Sequence, residues 1–118
     1  MKTILISLCL SLFSFLDITA QTDFVLEPSQ SMLMTGKGAG QDATINPYYG
    51  QDCYALIQNI GKRKFSVRIQ KDGEIIKELS IGKGKQKKIK LLKGHELYLD
   101  PNPKGTAKAR IAYEELEQ

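Results

Sequence analysis

From residue 53 onward the side chains alternate between apolar and polar, and turn residues interrupt the alternation at short intervals. "FSVRI" (65–69) sets Phe65, Val67 and Ile69 on one face and Ser66 and Arg68 on the other, the period of a half-buried strand. The Asp72-Gly73 pair that follows is a hairpin signal, because a two-residue turn needs positive φ and glycine adopts it without strain. "EIIKELSI" (74–81) is the expected return strand, with Ile75, Leu79 and Ile81 on one face. Lys77 breaks that face and predicts a bulge or an edge position. "KKIKLL" (87–92) points Ile89 and Leu91 inward and Lys88 and Lys90 outward. "HELYLD" (95–100) buries Leu97 and Leu99, and "TAKARIAY" (106–113) sets Ala107, Ala109, Ile111 and Tyr113 against Lys108 and Arg110.

Upstream, "CYALIQNI" (53–60) is apolar on both faces and reads as a strand inside a sheet. "DFVLEP" (23–28) reads as a first, edge-like strand ended by proline, and "SMLMT" (31–35) as a short further strand. The polar tail "EELEQ" is expected to fray. Seven to eight short strands with turn signals between them and no amphipathic helix predict an all-β protein, a small antiparallel β-sandwich. The run from Cys53 to Tyr113, with "KFSVRIQKDGEIIKELSIGKGKQKKIKLLKGHELYLD" at its centre, resembles the B-to-G portion of small exported immunoglobulin-like or fibronectin type III-like sandwich domains. The resemblance is one of architecture, and it implies an immunoglobulin-like sandwich without implying a function. The chain has no tryptophan and no cysteine pair to supply the hallmarks of antibody domains, and Tyr98 is the residue that could stand at a tyrosine corner.

The first twenty residues follow a different grammar. Met1-Lys2 is a short basic segment, "ILISLCLSLFSFL" (4–16) is an apolar run, and "DITA" ends on the small residue Ala20. That layout predicts a secretory signal peptide over residues 1–20 and one sandwich domain over 21–118. The run is too short to cross a bilayer core of about 30 Å, and no later run approaches that length, so no transmembrane segment is expected after cleavage. The expected destination is the periplasm or the secreted fraction. Cleavage removes Lys2 and Asp17, one charge of each sign, and leaves the net charge at +4. It also removes Cys9, so Cys53 is alone and a disulfide framework is excluded. A buried, inert thiol at the start of an apolar run is the expected role of Cys53.

The longest connection, "TGKGAGQDATINPYYGQDCY" (35–54), is where function is to be sought. "GKGAG" lacks the Lys-Ser/Thr and the following helix that a phosphate loop requires, and the dinucleotide pattern fails as well. Asp42, Asn46 and Asp52 are hard oxygen donors, but their spacing matches no calcium loop, and both residue types are turn formers. One histidine and one cysteine in residues 21–118 give no zinc pattern. Cys53, His95 and Asp100 form a thiol, base and orienter only on paper, since no local signature surrounds the cysteine. Neither a catalytic residue, a metal ligand nor a cofactor is expected. Tyr48 and Tyr49 argue for an ordered loop, either covering an open end of the sandwich or giving contact area to a partner.

"GKGKQKKIKLLKG" (82–94) carries Lys83, Lys85, Lys87, Lys88, Lys90 and Lys93 with no acid among them. It fits a basic patch for an anionic partner, extended by Arg68, Lys108 and Arg110, and it equally fits lysines guarding an exposed edge strand. The absence of interleaved aromatics and of a recognition helix excludes nucleic acid. The sequence thus points to an exported, non-enzymatic binding or interaction module with an unidentified protein or glycan partner in the envelope or extracellular space. Its expected contact residues are Asp42, Asn46, Tyr48, Tyr49 and Asp52 in loop 36–52. The alternative is a structural or accessory subunit that pairs through an exposed edge strand, and a small cysteine-dependent hydrolase ranks below both.

Overall fold

The computed structural model describes residues 21–116. Among these residues eight strands follow one another without a helix: β1 (Thr22–Leu26), β2 (Met32–Thr35), β3 (Cys53–Asn59), β4 (Phe65–Lys71), β5 (Glu74–Ile81), β6 (Gln86–Leu91), β7 (Glu96–Asp100) and β8 (Ala107–Glu115). They form two four-stranded antiparallel sheets, ordered β1-β8-β3-β6 and β2-β7-β4-β5. The expected signal peptide lies outside the described residues.

The pairing is nested. β4 pairs with β5 around the innermost turn, β3 with β6, β2 with β7 and β1 with β8. Rolling this long folded ribbon adds the contacts β3·β8 and β4·β7, which join the pairs into the two sheets. The result is the eight-stranded jelly roll, a double Greek key. The sandwich expectation therefore holds. The connectivity, however, is not that of an immunoglobulin domain, where the first two strands are neighbours in one sheet. Here β1 and β2 lie in opposite sheets. Tyr98 stands at no tyrosine corner: its hydroxyl donates to Glu96 Oε1 at 3.0 Å on the outer face of β7.

The inward residues of the alternation make the core. Ala55, Ile57, Phe65, Val67, Ile81, Leu97, Leu99, Ala109 and Ile111 are all essentially inaccessible. β3, read as an interior strand, lies between β8 and β6, and β1 is an edge strand as its sequence suggests. Asp72 and Gly73 both take positive φ, 51° and 81°, as the hairpin signal requires.

Two expectations need correction. Ile75 is not on the buried face: the register of β4 against β5 steps from Ile69↔Lys77 to Gln70↔Ile75, so Ile76 is an extra, bulged residue. Ile75 and Ile76 are consequently exposed on an edge strand. The tail does not fray at residue 114 either, since β8 continues to Glu115 opposite Cys53. Lys88 Nζ holds Glu114 at 3.0 Å and helps fix that end.

Candidate functional site

The antiparallel order sends the connections alternately to the two ends of the sandwich. One end carries loop 36–52, the 72–73 turn and the 92–95 turn; the other carries 27–31, 60–64, 82–85 and 101–106. At the first end, loop 36–52 and the 92–95 turn enclose a cleft of about 200 Å³, lined among others by Asn46, Tyr49, Gln51, Cys53, Lys93 and His95.

The loop is ordered from within. Gly36 N and Lys37 N both donate to the Asp42 carboxylate at 2.9 Å, which closes its first turn. Gly36 has φ +137°, and a Cβ there would sit 2.6 Å from Glu96 Cα, so the close approach of the loop to β7 requires glycine. Ala43 N and Thr44 N then donate to Leu33 O and Met34 O, extending the pairing beside β2. The buried Thr44 hydroxyl donates to Met34 O at 2.6 Å and accepts from the Tyr113 phenol, a short contact that seals this end of the core. Burial raises the Tyr113 pKa, so the phenol stays protonated and remains a donor.

Asn46 organises the second half. Its Oδ1 accepts from Tyr48 N at 2.9 Å, and its Nδ2 donates to Thr35 Oγ1 at 3.3 Å and to Cys53 Sγ at 3.6 Å. Tyr48 is half-buried and packs against the core. Asp52 Oδ1 accepts from Lys93 N at 2.8 Å and ties the loop to the facing turn. In that turn His95 Nδ1 accepts from Leu92 N at 3.1 Å. Partial burial and the nearby Lys71 charge both lower the His95 pKa, which favours this unprotonated acceptor.

The five residues singled out in the sequence thus divide. Asp42, Asn46 and Asp52 use their polar atoms to hold the loop, and Tyr48 anchors it. Asp52 and Tyr49 are exposed, and Tyr49 is the one that presents an apolar side chain, at 53 %. The sequence reading missed Ile45 and Leu92, which are 93 % and 43 % exposed at this same end. Their signal was an aliphatic residue inside a polar turn, "TINP" and "LLKG". Three of the six exposed large hydrophobics of the described residues therefore surround the cleft.

Cys53 and His95 do line one cleft, but the third member of that arrangement is elsewhere. Asp100 sits on the outer face of β7, accepting from Arg68 Nε at 2.9 Å, Arg68 Nη2 at 2.8 Å and Ser31 Oγ at 2.6 Å. Cys53 is 1 % exposed, and desolvation raises its pKa, so it is held as a thiol rather than a nucleophilic thiolate. Among the described residues no group of three or more His, Cys, Asp or Glu is placed to hold a metal ion. Nor do the described residues form a helix long and apolar enough to cross a membrane.

The lysine run is dispersed by the fold. Lys83 and Lys85 lie in the 82–85 turn, Lys87, Lys88 and Lys90 on the edge strand β6, and Lys93 at the cleft end. Lys88 stacks 4.4 Å over the Tyr54 ring on the outer sheet face, where Lys90 is the cross-strand neighbour of Tyr54. Lys108 and Arg110 share that sheet, whereas Arg68 belongs to the opposite one.

No protein-family model and no curated protein matches the chain. Among solved structures, the crystal structure of PirA is similar with a TM-score of 0.54 at 14 % identity, covering 83 % of this chain and 94 % of that one. At that identity the likeness is one of fold. A Bacillus endospore appendage structure, described as a novel family of disulfide-linked pili, aligns with a TM-score of 0.48 at 9 % identity, covering 85 % of this chain and 89 % of that one.

Proposed function

We propose that this protein is an exported, non-enzymatic binding module, with a leader over residues 1–20 and a single domain over 21–118, and that its contact surface is the cleft end of the jelly roll. One observation carries the reading: Ile45, Tyr49 and Leu92 expose apolar side chains around a cleft whose loop is pinned internally by Asp42, Asn46 and Asp52. Exposed apolar groups on a rigid frame lose little entropy when covered, which is the economy of a recognition surface. Gln51, Lys93 and His95 supply polar groups to the cleft lining.

Retrieval of a partner from an envelope extract on immobilised protein tests this. The triple variant Ile45→Ser/Tyr49→Ala/Leu92→Ser should lose whatever the parent retains while melting at the same temperature. Equal retention by parent and variant would refute the cleft as the contact surface.

A second reading rests on the sheet edges. β5 is an edge strand bearing Ile75 and Ile76 at 54 % and 51 % exposure, and β1 is an edge bearing Val25 at 53 %. Such an edge can accept a strand from a partner. Hydrogen exchange in the assembled complex separates the two readings: protection of β5 or β1 amides supports strand addition, and protection confined to loop 36–52 and the 92–95 turn supports the cleft.

A further inference from the structure

Three of the four connections at the end opposite the cleft, 60–64, 82–85 and 101–106, come from far apart in the chain; the fourth, 27–31, carries Glu27 and lines no part of the groove described below. A single buried side chain ties the first two together. Asn59, 2 % exposed, donates through Nδ2 to Arg63 O at 2.8 Å and to Ile81 O at 2.9 Å, and accepts from Gly61 N at 3.0 Å through Oδ1. Its backbone N donates to Lys85 O at 2.9 Å. The third connection is joined to the first by Ile60 N donating to Lys108 O and by Asn102 Nδ2 donating to Lys64 O, both at 3.1 Å. The loops are therefore one hydrogen-bonded unit rather than independent tips.

What this unit displays is positive charge. Lys62, Arg63, Lys64, Lys83, Lys104 and Lys108 are all exposed, and the three connections contain no Asp or Glu. The salt bridges among the described residues engage Lys37, Arg68, Lys88 and Arg110, and none of these six. Between the loops runs an open groove of about 680 Å³, lined by Ile60, Gly61, Lys62, Arg63, Lys83, Thr106 and Lys108. Two glycines shape it. A Cβ on Gly61 would meet Lys108 Cβ at 3.1 Å, and one on Gly105 would fall 2.2 Å from Arg63 Nε, so the Arg63 side chain lies across Gly105 where no other residue leaves room.

We propose that this groove binds an acidic polysaccharide, a linear chain with repeated sulfate or carboxylate groups. Cations from two loops and the start of β8, spread along an open groove, match charges repeated along a flexible polymer. The lysine stems give the walls apolar surface on which sugar rings can rest, and Thr106 gives a hydroxyl. The groove lacks the aromatic platforms that stack nucleic-acid bases, since no Tyr, Phe or Trp lines it. It also offers too little apolar surface to wedge into a bilayer: of the exposed large hydrophobics of the described residues, Val25 alone, the cross-strand neighbour of Lys108, lies at this end. Ile60 is the one apolar side chain in the lining, which leaves no anchor pocket for a peptide. The site stands at the far end from the cleft and does not depend on it.

The test uses the purified protein against heparin and polygalacturonate. Controls are vesicles of phosphatidylglycerol with phosphatidylcholine, a single-stranded oligonucleotide, and poly-glutamate. Binding to heparin or polygalacturonate should weaken with added salt and exceed binding to each control. Lys62→Glu/Lys83→Glu/Lys108→Glu should weaken it by about fivefold per residue, so on the order of a hundredfold together, whereas Lys88→Glu/Lys90→Glu should leave it within about twofold. Gly105→Ala, which displaces the Arg63 guanidinium without changing charge, should weaken it by several-fold. Thermal melts of each variant confirm that the fold persists. No binding to either polysaccharide at low salt, tighter binding to any control, or equal losses from the groove and β6 variants would each overturn the proposal.

Discussion

Asn59 on β3 reaches across the sandwich to the carbonyl of Ile81 on β5, 2.9 Å away in the other sheet. The same amide also donates to Arg63 O, so one side chain serves two carbonyls. Asn59→Ala removes this donor from both and leaves Gly61 N without its acceptor, and should cost about 3 kcal/mol of unfolding free energy, a large part of a small domain's stability. Asn59→Asp should cost at least as much at neutral pH, because a carboxylate cannot donate. Urea titration followed by circular dichroism reads both; a loss under about 1 kcal/mol for the alanine variant would show that water or a rearranged loop replaces the amide.

Burial holds Cys53 as a thiol, and Asn46 Nδ2 donates to its sulfur. Modification by iodoacetamide at mildly alkaline pH should be at least about a hundredfold slower for the native protein than in denaturant. Rapid labelling of the folded chain would reopen a nucleophilic role in the cleft.

Arg68 grips Asp100 with two nitrogens on the outer face of the second sheet and lies 4.3 Å over the Tyr98 ring. The hydrogen bonds from Arg68 hold the Asp100 carboxyl below its ordinary pKa, partial burial opposing them. A carboxyl depressed in the folded state stabilises fully above its unfolded pKa, and that contribution fades as pH falls through the folded value. Asp100→Asn should therefore lose about 1 kcal/mol at neutral pH, and its curve of stability against pH should converge on that of the parent in strong acid. A constant gap between the curves would mean that packing, not charge, sets the difference. Asp23 is also held by an arginine, Arg110, but on a fully solvated edge, and Asp23→Asn should leave stability unchanged within error.

The adjacent tyrosines of loop 36–52 should behave oppositely. Tyr48 packs on the core, and Tyr48→Ala should cost about 2 kcal/mol through the lost contacts. Tyr49→Ala should stay within about 0.5 kcal/mol of the parent, because its ring is mostly in solvent. Equal destabilisation by the two would make Tyr49 part of the packing and remove it from the contact surface.

Much of this was legible in one dimension. The period-two runs in 65–69, 87–92 and 106–113 name their own inward residues, and all of Phe65, Val67, Ile69, Ile89, Leu91, Ala107, Ala109, Ile111 and Tyr113 are buried. Even the misfit at Lys77 marked a real irregularity, the bulge at Ile76. The roles of the loop residues were less legible. Asp42 and Asn46 are as suited to closing a turn as to meeting a ligand, and only the positions of Gly36 N, Lys37 N and Tyr48 N decide between these. The lysines of 82–94 read as one patch because they are contiguous, but the extended β6 carries them from one end of the sandwich to the other.

By itself the sequence determined the strands, most of their buried faces and the innermost hairpin, because each of these follows from residues within a few positions of one another: side-chain alternation, or a turn that Asp-Gly favours. Only the tertiary structure decided which strands share a sheet, and with that the two ends of the molecule. The pairings β1·β8 and β3·β8 join residues far apart in the chain, and any alternating strand can satisfy their hydrogen bonds, so local pattern carries no preference among partners. The rolled arrangement fixes the choice through the joint packing of both inner faces, and it is this choice that gathers Ile45, Tyr49 and Leu92 at one end and Lys62, Arg63, Lys83 and Lys108 at the other.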